Sequence, residues 1–296
     1  MAKSTDTLTW VYGVLDTRAA PTLPHVDGVD GAPVALVERG TLAALASEVP
    51  RVEFDERALP ARLEQIETLA ALARAHDGVL EAALRAGADV VPFRMCTLYS
   101  GPDAIRGMIA HDAAGLERTL DRVRGMAEWG VKATLAAGPG AGAAGAADAA
   151  GRGGAAGRAG AAGRGGAVGR AGAAGAAGRE TARSGTEYLA RRRREREERE
   201  RTRESVDAAV AELHARLASQ AAAAVLSRPH GRSLTGSDAE MVLNGSYLVP
   251  RDAGDRFAAL FEQLASAAAA DGLALQLTGP WPPYHFVGAP EEERVV

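Results

Sequence analysis

The stretch that decides how this chain folds is residues 151–178, GRGGAAGRAGAAGRGGAVGRAGAAGAAG, the centre of a Gly/Ala/Arg tract over 138–184. Glycine occupies every third position in it, and arginine recurs every six residues. Val168 is its one large apolar residue, so the tract cannot build a hydrophobic core. We therefore predict a disordered linker at 138–184 between two domains, residues 1–137 and 185–290, followed by a charged tail at 291–296.

The residues before the tract alternate between strand-like and helix-like patterns. Runs of β-branched and apolar residues predict strands at 8–15, 33–38 and 42–49. One amphipathic helix is predicted over 55–86, ending at Gly87, from seven apolar residues at helical spacing: Leu59, Leu63, Ile66, Leu69, Ala73, Leu80 and Leu84. A strand at 90–99, a helix at 105–123 and a closing strand at 128–135 follow. The order β-β-β-α-β-α-β predicts a ferredoxin-like α/β domain with one added strand.

The residues after the tract predict a second α+β domain, so the fold class is α+β throughout. Residues 187–226 contain no glycine or proline and predict one long helix, whose first part is strongly charged, RRRREREERERTRE. Arginine precedes glutamate by four residues in that part, as in Arg191 and Glu195, which lets a helix stand in water. A strand at 241–249, a helix at 252–270, a strand at 273–277 and an extended segment at 284–287 are predicted next.

Composition and charge exclude several classes of protein. The formal net charge of −4 gives no overall attraction to nucleic acid or to a membrane surface. Cys96 is the only cysteine, so no internal disulfide can form. No apolar run approaches the ~20 residues that span a bilayer. We expect a soluble cytoplasmic protein without a membrane segment.

The search for catalytic, cofactor and metal motifs finds no site. A G-x-G-x-x-G match at 140–145 lies in the glycine-rich tract, which cannot continue as the helix that a dinucleotide site needs. No phosphate-binding loop, zinc cluster or metalloprotease motif is present. No partner base or nucleophile can be named for His285. A packed or half-exposed histidine is the simpler interpretation of His76, and a buried small hydrophobic residue is that of Cys96. We predict no catalytic residue, no cofactor and no metal.

The tract and the charged helix allow a nucleic-acid alternative. Arg/Gly-rich segments bind single strands most strongly when aromatic residues are interleaved, and this tract has none. Proline is absent from 151–178, which argues against a collagen-like triple helix. The linker interpretation is favoured, and binding of nucleic acid through the tract and the arginine-rich helix remains the alternative.

Several segments resemble the gas vesicle GvpF/GvpL proteins, in the same order along the chain. They are WVYGVL near the start, PVALVERGTLAALASEVP, EWGVK, YLARR, MVLNGSYLV and, most specific of all, TGPWPPYHFV near the end. Gas vesicles are gas-filled protein shells built mainly from one small, very hydrophobic subunit. The resemblance implies a gas vesicle location, a minor structural or accessory role, and binding to the main shell subunit and other accessory proteins. Where the family has an Arg-Phe-Gly-Thr-like segment, this chain has Arg94, Met95, Cys96 and Thr97.

The aromatic residues supply the candidate contact surface for such a partner. Aromatics are only 4% of the chain, and four of them stand out in the resembling motifs: Trp129, Trp281, Tyr284 and Phe286. Either these side chains lock the last strand onto the fold or they contact the partner. An enzyme with an unrecognised site around Arg94, Asn244 or His285 is a third interpretation.

Overall fold

A computed structural model of the chain describes residues 6–18, 25–135, 185–227 and 240–287. The predicted linker at 138–184 and the predicted tail at 291–296 lie outside these residues. The described residues divide into two compact units. Residues 6–135 and 206–287 belong to one unit, which contains both sheets, and residues 185–205 belong to the other.

The first sheet forms around a strand that is buried along nearly its whole length. Its strand order is β2-β3-β1-β4, with β5 also paired to β1, and every pairing is antiparallel. The run at 8–15 is apolar on both faces, and a central position buries both of them. The strands are β1 (Thr7–Asp16), β2 (Ala35–Arg39), β3 (Leu42–Pro50), β4 (Val90–Pro92) and β5 (Leu98–Tyr99). The three strands predicted at 8–15, 33–38 and 42–49 are confirmed, whereas the predicted strand at 90–99 is two short pieces.

The helices of the first half are α1 (Arg51–Phe54), α2 (Ala58–Leu63), α3 (Ile66–Arg85), α4 (Pro102–His111) and α5 (Ala113–Val123). The single helix predicted over 55–86 is wrong, because the backbone is extended at Gln65, between α2 and α3. This break turns the start of α3 away from the core, and Ile66 is 76% exposed. The end at Gly87 is confirmed by its φ of +87°, a conformation that favours glycine. A second break, at Asp112, divides the helix predicted over 105–123.

Helices cover both faces of the first sheet. Trp10 and Tyr12 on β1 pack with Leu72 and Leu80 of α3 in one core. Val11 and Val14, on the opposite face of the same strand, form a second core with residues of α4 and α5: Ile105, Ile109, Leu116 and Leu120. Full burial of each large apolar side chain contributes roughly 1.5–3 kcal/mol, so these two cores hold the first half together.

The second sheet has the order β7-β8-β6-β9, and every pairing is antiparallel. Its strands are β6 (Met126–Leu135), β7 (Ala223–Leu226), β8 (Met241–Pro250) and β9 (Leu273–Trp281). The prediction that the strand at 128–135 closes the first sheet is wrong. After α5 the chain turns at Gly125, with φ +68°, and β6 becomes a central strand of the second sheet. Its partners lie more than a hundred residues later, so no local pattern reveals this pairing.

Among the described residues, the end of one helix and the whole of another cover one face of the second sheet. The two helices are α6 (Gly185–Ala218) and α7 (Gly254–Ala270). Leu213 and Leu217, near the end of α6, join Tyr247, Phe257 and Phe261 in its core. The helix predicted to reach residue 226 ends at Ala218, and residues 223–226 form an edge strand instead. The extended segment predicted at 284–287 is also wrong, because Tyr284–Phe286 is a 3-10 turn.

The two sheets share one strand order. Along the chain the second sheet follows β6-α6-β7-β8-α7-β9, the β-α-β-β-α-β order of the ferredoxin-like motif. The first sheet has the corresponding order β2-β3-β1-β4, but the described residues between β1 and β2 form only a 3-10 turn, Val29–Gly31. The first half was predicted to be ferredoxin-like with one added strand, whereas the described elements of the second sheet follow the complete ferredoxin-like order.

Candidate protein-interaction site

The last described residues, 281–287 (WPPYHFV), form a closing segment that touches both sheets. The Tyr284 hydroxyl donates to Oδ1 of Asp77 on α3, at 2.8 Å. Burial raises the pKa of Tyr284, and its bond to Asp77 raises it further. The ring also packs against the first core. Tyr284 therefore attaches the end of the chain to the first half.

His285 attaches the closing segment to β6. Its backbone N–H donates to Oε2 of Glu128 at 2.9 Å, and its Nδ1 lies 2.6 Å from Oε1. Glu128 is 4% exposed, and a carboxylate in that position is costly to bury without such partners. The bond to Glu128 raises the pKa of His285, although burial opposes the rise. The pair is a polar anchor for the closing segment within the second half.

The same cluster does not form a catalytic Ser-His-Glu arrangement. Ser246 Oγ lies 3.2 Å from His285 Nδ1, the nitrogen that already contacts Glu128. In a catalytic triad the acid and the nucleophile contact opposite nitrogens of the imidazole, so that the ring can move a proton between them. Here both groups share one nitrogen. The enzyme interpretation around His285 therefore gains no support from the geometry.

Phe286 fills the space between the halves. Its side chain is 3% exposed and packs with Val123, at the end of α5, and with Leu248 on β8. Arg251 strengthens the same junction through Asp89, with a 2.6 Å contact between Arg251 Nη2 and Asp89 Oδ1. These contacts place Phe286 and Tyr284 in the packing between the two sheets. Neither side chain offers the open surface that a partner needs.

Trp129 and Trp281 lie differently, and together they line an open depression that we name the tryptophan cleft. The cleft holds about 560 Å³ and is lined mainly by apolar side chains, among them Leu84, Ala127 and Pro280. Trp129 is half-buried, with its ring centroid 5.9 Å from that of Phe257. Trp281 is 39% exposed. The cleft is therefore bounded by α3, β6, the start of α7 and the end of β9.

A β-bulge aims Trp281 into this position. Glu128 pairs with Trp281 and Gly130 with Thr278, so that Gly279 and Pro280 together face Trp129 alone. Gly279 has a φ of +117°, and a Cβ there would lie 2.8 Å from the Glu128 carbonyl oxygen. Only glycine fits this approach. The GPW sequence thus brings the two indole rings to one cleft.

Four charged side chains line the cleft, and all of them except Asp255 form an ion pair within the described residues, Arg251 with a carboxylate outside the lining. Arg85 contacts Glu81 at 3.3 Å, and Arg251 contacts Asp89 and also donates to the Ala88 carbonyl at 3.1 Å. Paired charges at the rim leave the indole rings as the dominant chemical feature. A second depression of about 590 Å³ runs along α3, but it is lined by small and charged residues and offers no aromatic anchor.

The comparisons with known proteins decide the family. A family model described as gas vesicle synthesis protein GvpL/GvpF matches residues 8–288. The chain belongs to the GvpL/GvpF family. The family suggested by the sequence motifs is confirmed. Membership supports a role in gas vesicle formation and an association with gas vesicles, and the family is not known as an enzyme family.

Individual relatives agree with this assignment. Gas vesicle protein L of a Streptomyces species is 33% identical over 290 residues, covering 98% of this chain and 96% of that protein. Gas vesicle protein F2 of Halobacterium salinarum is 47% identical over 47 residues, 16% of this chain and 21% of that protein. The crystal structure of GvpF from Anabaena superposes with a TM-score of 0.61 at 13% identity, covering 98% of this chain and all of that one. GvpF from Microcystis aeruginosa gives 0.59 at 14%, covering 96% and 100%. At these identities the two crystal structures support the fold.

The turn at residues 94–97, where the resemblance to the family implied a glycine, has a clear geometry. Cys96 has a φ of +67°, in the left-handed region that favours glycine. The backbone therefore keeps a turn suited to glycine, although cysteine occupies it. Burial raises the pKa of the Cys96 thiol, which disfavours the reactive thiolate.

Other residues that the sequence singled out have structural surroundings. His76 is 1% exposed, accepts a hydrogen bond from Trp10 Nε1 at 2.9 Å and contacts the Phe93 carbonyl at 3.1 Å. On the charged helix, three of the predicted pairs form, Arg191–Glu195, Arg193–Glu197 and Arg196–Glu200. Within the described ranges no cluster of three or more His, Cys, Asp or Glu is placed to hold a metal ion. Nor does any described helix have the length and apolar character to cross a bilayer.

Proposed function

We propose that this chain is a non-catalytic accessory protein of gas vesicle assembly that binds the main hydrophobic shell subunit through the tryptophan cleft. The observation that carries the proposal is the half-exposed Trp281 beside Trp129 in an apolar depression. A large aromatic side chain left open to water beside a preformed depression is typical of a contact surface. The relatives named as gas vesicle proteins L and F2 support the same biological setting.

The chemistry of the cleft suits an apolar partner. A shell subunit rich in hydrophobic residues must be recognised before it assembles. The indole rings of the cleft can bind such residues, and the charged side chains at its rim keep the surface soluble. The rest of the aromatic set is used for packing, because Tyr284 and Phe286 join the halves. Of the four predicted contact residues, we therefore assign partner contact to Trp129 and Trp281.

Co-expression with an affinity-tagged shell subunit tests this assignment. The wild-type chain should be retained with the subunit, and Trp281→Ala should reduce the retained fraction by about tenfold, as expected for loss of an aromatic hot spot. Ile66→Ala is the matched control, because Ile66 is more exposed than Trp281 and does not line the cleft. Thermal unfolding of both variants checks the fold. Equal retention of wild type and Trp281→Ala would contradict the cleft, and no retention of the folded wild type would contradict the shell-subunit partner.

A further inference from the structure

The two sheets expose very different edges. On the first sheet, β2 has five residues and includes Glu38 and Arg39, while β4 has three and ends in Pro92. On the second sheet, β7 has four residues. The remaining edge strand, β9, has nine residues, LALQLTGPW, and none of them is charged. Short length, charge and proline are the usual features that protect an edge strand against further pairing. The proline of β9 comes late, at position 280, so the seven residues before it lack this protection.

The outer side of β9 has no strand beside it among the described residues. Its inner side pairs with β6, from Leu135 opposite Leu273 to Glu128 opposite Trp281. Leu275 and Leu277 turn one face of the strand toward the core under α6 and α7. On the other face, Ala274 and Gln276 are exposed. The backbone groups of the outer edge are thus available to an added strand.

We propose that β9 pairs with β9 of a second copy of this chain, antiparallel across a two-fold axis. The regular part of the strand is residues 273–278, because Gly279 and Pro280 form the bulge and Pro280 has no N–H to donate. Gln276 is one of the two central residues of that segment. A two-fold axis there places Gln276 opposite its own copy, and it places Leu275 opposite Leu277 of the second molecule. The two four-stranded sheets become one continuous sheet.

This register is self-complementary, which is what a two-fold interface requires. On the inner face Leu275 of each copy meets Leu277 of the other, while Leu273 lies opposite Gly279, and the two apolar cores become continuous. On the outer face two Gln276 amides meet at the axis, where each can donate to and accept from the other. The pairing puts no like charges opposite each other, because the strand has no charge. A second copy is therefore the occupant that this edge fits, and the shell subunit is assigned to the tryptophan cleft.

The experiment measures the mass of the full-length protein in solution by light scattering over a range of concentrations. We expect a dimer for wild type. Gln276→Lys and Gln276→Glu each place like charges at the axis and should raise the dimer dissociation constant by about tenfold or more. Mixing the two variants places opposite charges there and should restore a mixed dimer. Gln276→Thr, which is neutral, is the matched control and should remain dimeric.

Crosslinking tests the register directly. In a Cys96→Ser background, Gln276→Cys should form a disulfide-linked dimer on mild oxidation, since directly opposed residues lie close together in an antiparallel pair. Glu262→Cys, exposed on α7, is the control and should remain uncrosslinked. Circular dichroism confirms that each variant is folded.

Three outcomes would overturn the pairing. The folded wild type could be monomeric at every concentration, or its dimer could be indifferent to both charge variants. In the third case the wild type is monomeric and Gln276→Lys abolishes retention by the shell subunit, so that the edge serves a different protein. The solution mass is read without the shell subunit, so failure of this inference is distinguishable from failure of the proposed partner.

Discussion

The two halves of this protein share a strand order but differ in how they meet water. The first sheet has helices on both faces, and its edges are short, charged or interrupted by proline. The second sheet has helices on one face, a closing segment over part of the other, and a long uncharged edge. The difference teaches that one strand order can serve two purposes. The first half is a closed scaffold, and both proposed contact surfaces involve β9 of the second.

Histidine shows the same contrast on a smaller scale. In the first half, burial lowers the pKa of His76, which is held by Trp10 and the Phe93 carbonyl. Near the second sheet, Glu128 raises the pKa of His285. Burial favours the neutral form of the imidazole inside the core, and the carboxylate favours the charged form of the imidazole at the junction. The surroundings, rather than the residue type, set the role of each.

The largest expected loss of stability comes from weakening the packing between the two halves at Phe286. Phe286→Ala removes a buried ring from between Val123 and Leu248 and should lower the free energy of unfolding by about 3–5 kcal/mol. Trp281→Ala, five residues earlier in the chain and much more exposed, should cost under about 1 kcal/mol. Urea unfolding followed by circular dichroism measures both. Equal losses for the two variants would mean that the closing segment does not divide into a packing part and an exposed part.

The second-largest expected loss of stability concerns the polar contact between Glu128 and His285. Glu128→Gln keeps the shape and the acceptor for the His285 N–H but removes the charge, so a charge-assisted hydrogen bond becomes a neutral one. We expect a loss of about 1–2 kcal/mol in the free energy of unfolding, moderated because the His285 side chain is half exposed. Asp103→Asn is the control, since its pair with Arg106 lies at the surface and should contribute little. A loss no larger than that of the control would show that the contact between Glu128 and His285 does not stabilise the fold.

The sequence predicts the elements of both halves better than it predicts their partners. The strands at 8–15, 42–49 and 241–249 are marked by their own apolar runs, and the end at Gly87 by glycine's tolerance of a positive φ. These signals are local. The position of β6 depends on β8 and β9, and the choice between helix and edge strand at 223–226 depends on whether β8 is there to pair with.

In the candidate site, too, the local features could be predicted from the sequence and the long-range contacts could not. Aromatic residues in the closing motif identified the right region, because aromatics are scarce in this chain. The bond between His285 and Glu128 spans 157 positions, and sequence reasoning named no partner for His285. The available signal was Glu128, an acidic residue beside Trp129 in a predicted strand. Which aromatics face water depends on the bulge at Gly279 and Pro280, which appears only once β6 and β9 are paired.

The two histidines should make folding stability depend on pH in opposite directions. The pKa of His285 is raised, so its contribution is complete below the unfolded value of about 6.5 and is lost as pH rises through the folded pKa. The pKa of His76 is lowered, so stability falls as pH drops below about 6.5, where the unfolded chain binds the proton more readily. Each unit of difference is worth about 1.4 kcal/mol, less for the half-exposed His285.

Melting temperatures between pH 5 and 8 (roughly the range in which histidine titrates) test these signs. His285→Gln should flatten the decline on the alkaline side, and His76→Gln should flatten the decline on the acid side. The acid side should be reduced rather than abolished in His76→Gln, because burial also lowers the pKa of His214. If both variants changed the same side of the profile, the opposite directions of the two pKa shifts would be refuted.

The smallest effect concerns the turn at Cys96, within the closed half. A residue with a Cβ pays for the left-handed conformation at φ +67°, whereas glycine adopts it freely. Comparing Cys96→Gly directly with Cys96→Ala isolates this cost, because both variants lose the thiol and its packing and they differ by one methyl group. We expect the glycine variant to be the more stable by about 1 kcal/mol, read from urea midpoints at equal slope. Gly107→Ala, in α4, is the comparison for a glycine that has no positive φ and where an added methyl group meets no other atom within 4 Å. A more stable alanine variant at position 96 would show that packing against the first core outweighs backbone conformation there, and that the closed half tolerates a strained turn because its core is complete.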